Sequence, residues 1–147
     1  MNNIGFKIIM KHLLIIFSSL FLFTSVTVNA QHKLTVIVDG IKKQKGKLMI
    51  GVYNSDATFM KKTYKGFAAD VTDTTLEFTI DLPTGEYAIS LYHDANGNNK
   101  LDTGIFGIPT EGYGFSNNVK GFMGPPSFEK SKFSLTDSLI IRINLIN

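Results

Sequence analysis

Apolar and polar residues alternate along most of this chain, and that period of two constrains its fold more than any other feature. Residues 76–82 alternate without a break and stop at Pro83. Beyond the N-terminal region, no segment places apolar residues at the i, i+3, i+4 and i+7 spacing of an amphipathic helix. The pattern therefore predicts an all-β protein, with each strand buried on one face.

Other segments repeat this pattern less strictly. The predicted strands are 34–38, 48–52, 76–82, 87–93 and 139–145, with weaker candidates at 67–71 and 132–135. Residues 56–65 have room for one helical turn. About seven short strands in one domain, 31–147, predict an antiparallel β-sandwich of immunoglobulin-like or transthyretin-like type. The chain has no cysteine, which excludes disulfides, thiolate metal sites and a cysteine nucleophile.

The N-terminus has the three parts of an export signal. Lys7 and Lys11 precede an eleven-residue apolar run at 13–23, and Val28 and Ala30 match a cleavage pattern. The run is too short to cross a membrane comfortably. We expect cleavage after Ala30, so that 1–30 is a signal peptide and the mature chain has no membrane span. The protein would be periplasmic, bound at the outer surface, or secreted.

The basic balance of the chain belongs largely to that signal. The whole sequence has 15 Lys and Arg against 12 Asp and Glu. Removing Lys7 and Lys11, with no acid, leaves 13 basic residues against 12 acidic ones. A nearly balanced domain lacks the basic surface that nucleic-acid binding requires, so nucleic acid is not a predicted partner.

Residues 94–128 show no sustained alternation. Loops longer than about 12–15 residues are uncommon in compact domains and are usually functional or disordered. This segment is rich in large apolar residues, which we expect to pack it onto the sandwich. They are Ile105, Phe106, Ile108, Tyr113, Phe115, Phe122, Met123 and Phe128. The sequence therefore predicts one long ordered loop, and the best place for a site.

The start of this segment spaces oxygen-bearing side chains at alternate positions, as a looped calcium site requires. The candidate ligands are Asp94, Asn96, Asn98, the backbone carbonyl of Lys100, and Asp102. Two departures weaken the match to such loops: Asn99 replaces a glycine, and Ile105 replaces a bidentate glutamate. A turn whose side chains cap their own backbone is the alternative, and both interpretations stay open.

A ligand could also be held by neighbouring residues of the same segment. Aromatic rings could stack on a sugar or peptide, and polar side chains could supply hydrogen bonds. The candidate binding residues are His93, Glu111, Tyr113, Phe115 and Asn117. We predict a non-enzymatic module that binds an extracytoplasmic ligand or protein; a purely structural envelope protein is not distinguished from it. The alternative is an envelope hydrolase or lyase using His93, Asp94 and Glu111.

Three runs of sequence resemble a known family. They are 83–94 together with the Asp94–Asp102 loop, the run 107–118, and the run 124–128. Together they resemble domain-of-unknown-function family 2141 (DUF2141) over nearly the whole mature chain. The resemblance implies a small, exported, β-rich bacterial protein and carries no established activity. The 83–87 turn is also similar to transthyretin-like and collagen-adhesin B-type sandwiches, which bears only on fold.

Overall fold

The computed structural model of the chain describes residues 30–147, in which eight β-strands form two sheets. The strands are β1 (Gln31–Asp39), β2 (Lys47–Tyr53), β3 (Lys65–Asp70), β4 (Thr75–Pro83), β5 (Gly85–Asp94), β6 (Tyr113–Phe115), β7 (Phe133–Leu135) and β8 (Leu139–Asn144). One short helix, α1 (Phe128–Ser131), precedes β7. The predicted signal peptide lies outside the described residues except for Ala30.

The two sheets face each other as a sandwich. One has the order β4-β1-β8, and the other has the order β3-β2-β5-β6 with β7 paired to the start of β5. The predicted all-β class is confirmed, and so are the two weaker strands, as β3 and β7. Pairing is antiparallel except between β1 and β8, which are parallel. The immunoglobulin-like or transthyretin-like topology remains a prediction.

Two segments that are predicted to lack regular strands, 56–65 and 94–128, contain local structure. Residues 56–61 form consecutive turns, followed by a bend at 62, and the N–H of Lys62 donates to the carbonyl of Thr58 at 2.9 Å. Lys65, the last residue of the predicted segment, already belongs to β3. The predicted single loop at 94–128 is interrupted by β6, a strand of three residues that alternation could not reveal. Within residues 30–147, none of the helices has the length and apolar character needed to cross a membrane.

The alternating residues form the main core between the sheets. Each fully buried aliphatic side chain removes apolar area from water and stabilises the fold by about 1.5–3 kcal/mol. Both sheets contribute such side chains: Leu34, Val36, Val38, Leu82 and Ile143 from one, and Leu48, Val52, Ile89 and Leu135 from the other.

A second, aromatic core covers part of the outer face of the five-stranded sheet. It consists of Tyr53, Phe59, Ala88, Phe115 and Phe128. The ring centroids of Phe59 lie 5.1 Å from Tyr53 and 5.7 Å from Phe128, with the rings edge to face. This packing holds the turns after β2, together with α1, against β5, so β5 is buried on both faces from Tyr87 to Ile89.

The chain passes from one sheet to the other at a tight corner between β4 and β5. Only Thr84 separates the two strands. The Tyr87 hydroxyl donates to the carbonyl of Pro83 at 3.0 Å, and a Cβ on Gly85 would lie 3.2 Å from the Tyr87 ring. The turn that the sequence predicts at 83–86 is therefore a corner between sheets, closed by a buried tyrosine over a glycine.

We expect Tyr87→Phe to lower the free energy of unfolding by about 0.5–1.5 kcal/mol, because it removes one hydrogen bond and keeps the ring. Urea denaturation measures the difference. Tyr64→Phe is the matched control, since the Tyr64 side chain is exposed. Removing its hydroxyl should lower the free energy of unfolding by less than about 0.5 kcal/mol. Equal effects of the two substitutions would show that the corner bond is not stabilising.

Candidate functional site

The predicted long segment consists of two loops separated by β6. The first loop, residues 95–112, joins the end of β5 to β6. The second loop, residues 119–127, joins a 3-10 turn at Ser116–Asn118 to α1. The candidate calcium ligands all lie at the base of the first loop, beginning with the last residue of β5.

Asp94 organises the turn that follows it. Its side chain is only 1% exposed, and the N–H groups of Gly97 and Asn98 donate to Oδ1 at 2.7 and 3.1 Å. The N–H of Asn99 donates to Oδ2 at 2.8 Å. Burial by itself would raise the pKa of Asp94, but these backbone hydrogen bonds together hold its pKa below the ordinary value. The carboxylate is therefore charged at neutral pH.

Two amides converge on the second carboxylate of the predicted set. Nδ2 of Asn96 donates to Oδ2 of Asp102 at 2.6 Å, and Nδ2 of Asn98 donates to Oδ1 of Asp102 at 2.8 Å. The amide oxygens cap the turn: Oδ1 of Asn96 accepts from the N–H of Asn98 at 3.1 Å, and Oδ1 of Asn98 accepts from the N–H of Lys100 at 2.9 Å. The self-capping bonds of the alternative interpretation are thus formed.

The capping hydrogen bonds leave some acceptor capacity on the oxygens of this loop. A carboxylate has about four lone-pair sites, so one that accepts N–H groups can still coordinate a cation. The glycine missing from the pattern is also compensated, because Asn99 adopts the left-handed conformation at φ 61° that asparagine tolerates better than most residues. Among residues 30–147 no three His, Asp or Glu side chains group as a metal site; the candidate set is two carboxylates with two amides.

Glu111 closes the base of the first loop. Its Oε1 accepts from the N–H of Ala95 at 2.9 Å, and its Oε2 accepts from the N–H of Asp102 at 3.1 Å. The N–H of Thr110 also donates to the carbonyl of Asp102 at 2.9 Å. One carboxylate therefore joins the start of the loop, its middle and its end, a role that the sequence did not reveal.

His93 makes a structural contact in this geometry, and its predicted role in binding a ligand remains a prediction. It is 4% exposed, and its Nε2 lies 2.7 Å from the carbonyl oxygen of Lys45. Because a carbonyl can only accept, Nε2 carries the proton. The next residue, Gly46, brings the same connection close to the backbone of Asp94. A Cβ on Gly46 would lie 2.1 Å from the carbonyl oxygen of Asp94, so a larger residue does not fit there. His93 thus joins the β1–β2 connection to the end of β5.

The other predicted binding residues also hold the segment in place. Tyr113 exchanges two backbone hydrogen bonds with Ile146, at 3.0 and 2.7 Å. Phe115 is buried in the aromatic core. Nδ2 of Asn117 donates to the carbonyls of Lys130 and Lys132 at 3.1 and 2.8 Å. Contact between these side chains and a ligand remains a prediction.

The expectation that the apolar residues of 94–128 pack onto the sandwich is wrong for five of them. Those five are exposed at the loop tips: Ile105, Phe106 and Ile108 in the first loop, and Phe122 and Met123 in the second. At each tip one of these residues, Phe106 or Met123, adopts a left-handed conformation, at φ 64° and 55° respectively, which is rare for bulky residues. Composition could not distinguish an apolar residue that packs from one that projects.

The sequence also did not reveal a depression on the uncovered half of the outer sheet face. It has a volume of about 420 Å³ and is lined by residues that include Met49, Tyr53 and Tyr92. It forms where Gly51 of β2 lies directly opposite Gly66 of β3. Neither glycine is informative until the strand register is known.

The Asp94 pKa predicts a stability that depends on pH. Because the folded pKa is depressed, the stabilisation is present above the ordinary value of 3.8 and is lost as pH falls through the folded value. We expect Asp94→Asn to have a shallower loss of melting temperature than the wild type between about pH 5 and pH 2. Asp39, whose pKa is lowered chiefly by Arg142, contributes equally to both curves. Parallel curves would contradict the role assigned to Asp94.

We expect Glu111→Gln to open the base of the first loop, because an amide offers one acceptor oxygen and turns a donor toward the second N–H. Leaving that N–H unpaired costs about 1–3 kcal/mol. Amide hydrogen exchange at Ala95 or Asp102 should therefore accelerate by about 5- to 150-fold. Glu77→Gln, at an exposed position of β4, is the control. Unchanged exchange at both amides would contradict the role of Glu111.

Comparison with known proteins identifies the family. The family model of DUF2141, described as an uncharacterized protein conserved in bacteria, matches residues 36–141. That range begins in β1 and ends in β8, so it includes both sheets and both loops. No curated protein and no solved structure matches the chain. The chain therefore belongs to the DUF2141 family, as the resemblance predicted.

Proposed function

We propose that this chain is an exported, non-enzymatic binding module of the bacterial envelope. It contacts an extracytoplasmic ligand or protein through the 94–128 segment and holds Ca²⁺ in the Asp94–Asp102 loop. The observation that carries the proposal is the meeting of two amides on the Asp102 carboxylate, beside a turn built on the buried Asp94 carboxylate. The export signal predicted at 1–30 supports the location.

Calcium is the cation that suits these groups. It is a hard ion that takes six to eight oxygens in flexible geometry, from carboxylates, amides, backbone carbonyls and water. The amide nitrogens of Asn96 and Asn98 now face the Asp102 carboxylate. Rotating each amide by 180° would exchange its nitrogen for its oxygen, so that two amide oxygens and the carboxylate could face one cation. With two charged ligands, the dissociation constant should be about 10⁻⁴–10⁻³ M, the range of extracellular modules.

The loop tips support a binding role rather than a purely structural one. Of the eight large apolar side chains that are exposed among residues 30–147, five lie in the 94–128 segment. Concentrated exposed apolar surface marks interaction sites in soluble proteins. The base of the first loop, closed by Glu111, would present its tip to a ligand or protein in a fixed orientation.

The hydrolase or lyase alternative receives no comparable support. A general acid or base must reach the proton that it transfers. The His93 ring is buried with its Nε2 hydrogen-bonded to a backbone carbonyl. The Asp94 and Glu111 carboxylates accept five backbone N–H groups between them. All three side chains are engaged in structural contacts.

We expect Ca²⁺ at about 5 mM to stabilise the wild type by about 1–2 kcal/mol relative to EDTA, since the ion binds the folded loop and not the unfolded chain. The melting temperature should rise by about 3–10 °C. Asp102→Asn removes one charged ligand with little change in shape and should abolish most of this rise.

Asp137→Asn is the matched control, because Asp137 is another aspartate that accepts a backbone hydrogen bond in a turn. Its Oδ1 accepts from the N–H of Ser138 at 2.7 Å. It should keep the full response to Ca²⁺. A wild-type melting temperature that is the same in Ca²⁺ and EDTA would remove the metal from the proposal.

A further inference from the structure

We propose that the depression on the outer face of the five-stranded sheet is a second binding site, and that its ligand is the ring of a neutral saccharide. This site is separate from the contact proposed for the 94–128 segment, and it does not depend on Ca²⁺. The assignment follows from the floor of the depression, from the hydroxyl groups beside it and from the absence of charge in its lining.

The floor of the depression is a row of small side chains on three neighbouring strands. Gly51 of β2 lies opposite Gly66 of β3 on one side and opposite Ser90 of β5 on the other. Two positions along the strands, the next row contains the larger side chains of Met49 and Tyr92. Both rows lie on the outer face, because the residue between them in β2 belongs to the main core. Three small residues side by side therefore leave a low floor beside taller side chains.

Packing does not explain why glycine occupies one of these positions. Gly51 is required by its neighbours, since a Cβ there would lie 3.0 Å from the Tyr53 hydroxyl and from Cγ2 of Thr63. At Gly66 a Cβ would lie 3.5 Å from Oγ1 of Thr63, an ordinary contact, and the backbone is not left-handed. Glycine weakens a strand at such a position, where a larger side chain would fit. An open floor accounts for it.

Hydroxyl groups supply the polar part of the lining. The Ser90 hydroxyl lies 3.4 Å from the Tyr53 hydroxyl and bonds to it. Because each hydroxyl has one proton, this bond leaves one proton to donate and lone pairs on both oxygens. Within residues 30–147 neither hydroxyl makes a further side-chain hydrogen bond. Thr63 and Tyr92 add two more hydroxyls to the lining.

The charge of the lining excludes an ionic ligand. Among residues 30–147, none of those that line the depression is charged. Charged residues of both signs lie within two positions of lining residues along the chain, but outside the depression: Lys47, Lys61, Lys62, Lys65, Asp70 and Asp94. An ionised group placed on the floor would lose hydration without gaining an opposite charge in contact, which is unfavourable.

A neutral sugar ring combines the two properties that this lining requires. When its substituents are equatorial, as in the glucose units of cellobiose, its faces present C–H groups and its edge presents hydroxyls. The glycine floor and the Met49 and Ala68 side chains suit such a face, and the Ser90 and Tyr53 hydroxyls suit such an edge. The volume of about 420 Å³ is within the range of small-molecule sites, about 300–1,000 Å³.

Cellobiose is the probe that tests the assignment, with amide chemical shifts measured by NMR on the full chain. We expect saturable changes at Gly51 and Gly66, with a dissociation constant on the order of 1 mM, and none at Asp102 in the first loop. The titration is run in EDTA, so its result does not depend on the calcium proposal. About 0.5 M NaCl should leave the affinity unchanged, because salt screens contacts between charges.

Gly66→Val fills the floor and should weaken cellobiose binding by about tenfold or more. Its melting temperature should equal or exceed that of the wild type, because valine is favoured in strands, so lost binding would not reflect unfolding. Thr79→Val is the matched control: it adds the same side chain at an exposed position of β4 in the other sheet and should bind normally. Ser90→Ala removes one hydroxyl and keeps the floor, so it should weaken binding by about 2- to 10-fold.

The inference is overturned if about 20 mM cellobiose leaves the Gly51 and Gly66 amides unchanged, or if Gly66→Val binds as the wild type does. Cyclohexanol, a ring of similar size with one hydroxyl, tests the polar part of the lining. If it binds at these amides more tightly than cellobiose, or if Ser90→Ala leaves cellobiose binding unchanged, the depression is an apolar site and the saccharide assignment is wrong.

Discussion

The pairing of β5 is the interaction on which both cores and the candidate site depend. β5 pairs with β2 along one edge and with β7 and β6 along the other. Its inner face enters the main core, and part of its outer face enters the aromatic core. Because a slip of one residue would exchange these faces, the register is strongly specified. Asp94, the last residue of the strand, is therefore held in a defined position before the loop begins.

Charged acceptors, rather than regular secondary structure, order the first loop. Asp94 accepts three backbone N–H groups and Glu111 accepts two. Hydrogen bonds to ionised groups are about twice as strong as those between neutral groups. The same carboxylates place negative charge at the base of the loop. The cation affinity proposed for this loop would then have the same origin as its order.

Local patterns predicted the strands but not their arrangement. Alternation located β4 and β8, since one face of each strand is buried, but the parallel pairing of β8 with β1 depends on long-range contacts that no period records. The oxygen spacing from Asp94 to Asp102 predicted that these side chains share one loop. It could not reveal Glu111, which reaches the loop from outside that spacing. The three residues of β6 are too few to alternate visibly.

The loop tips cannot be explained by the stability of the fold. Exposing the Phe106 ring leaves its apolar area in water, and a left-handed conformation costs roughly 1–2 kcal/mol for a residue with a Cβ. The exposed apolar area and the backbone strain both oppose the observed conformation. Burial of the ring against the sandwich does not offset them, because the ring is 96% exposed. Hydrogen bonds within the chain, which close the tip and the base of the first loop, hold the strained conformation in place. Under the proposed binding role, contact with a partner would remove this exposed apolar area from water.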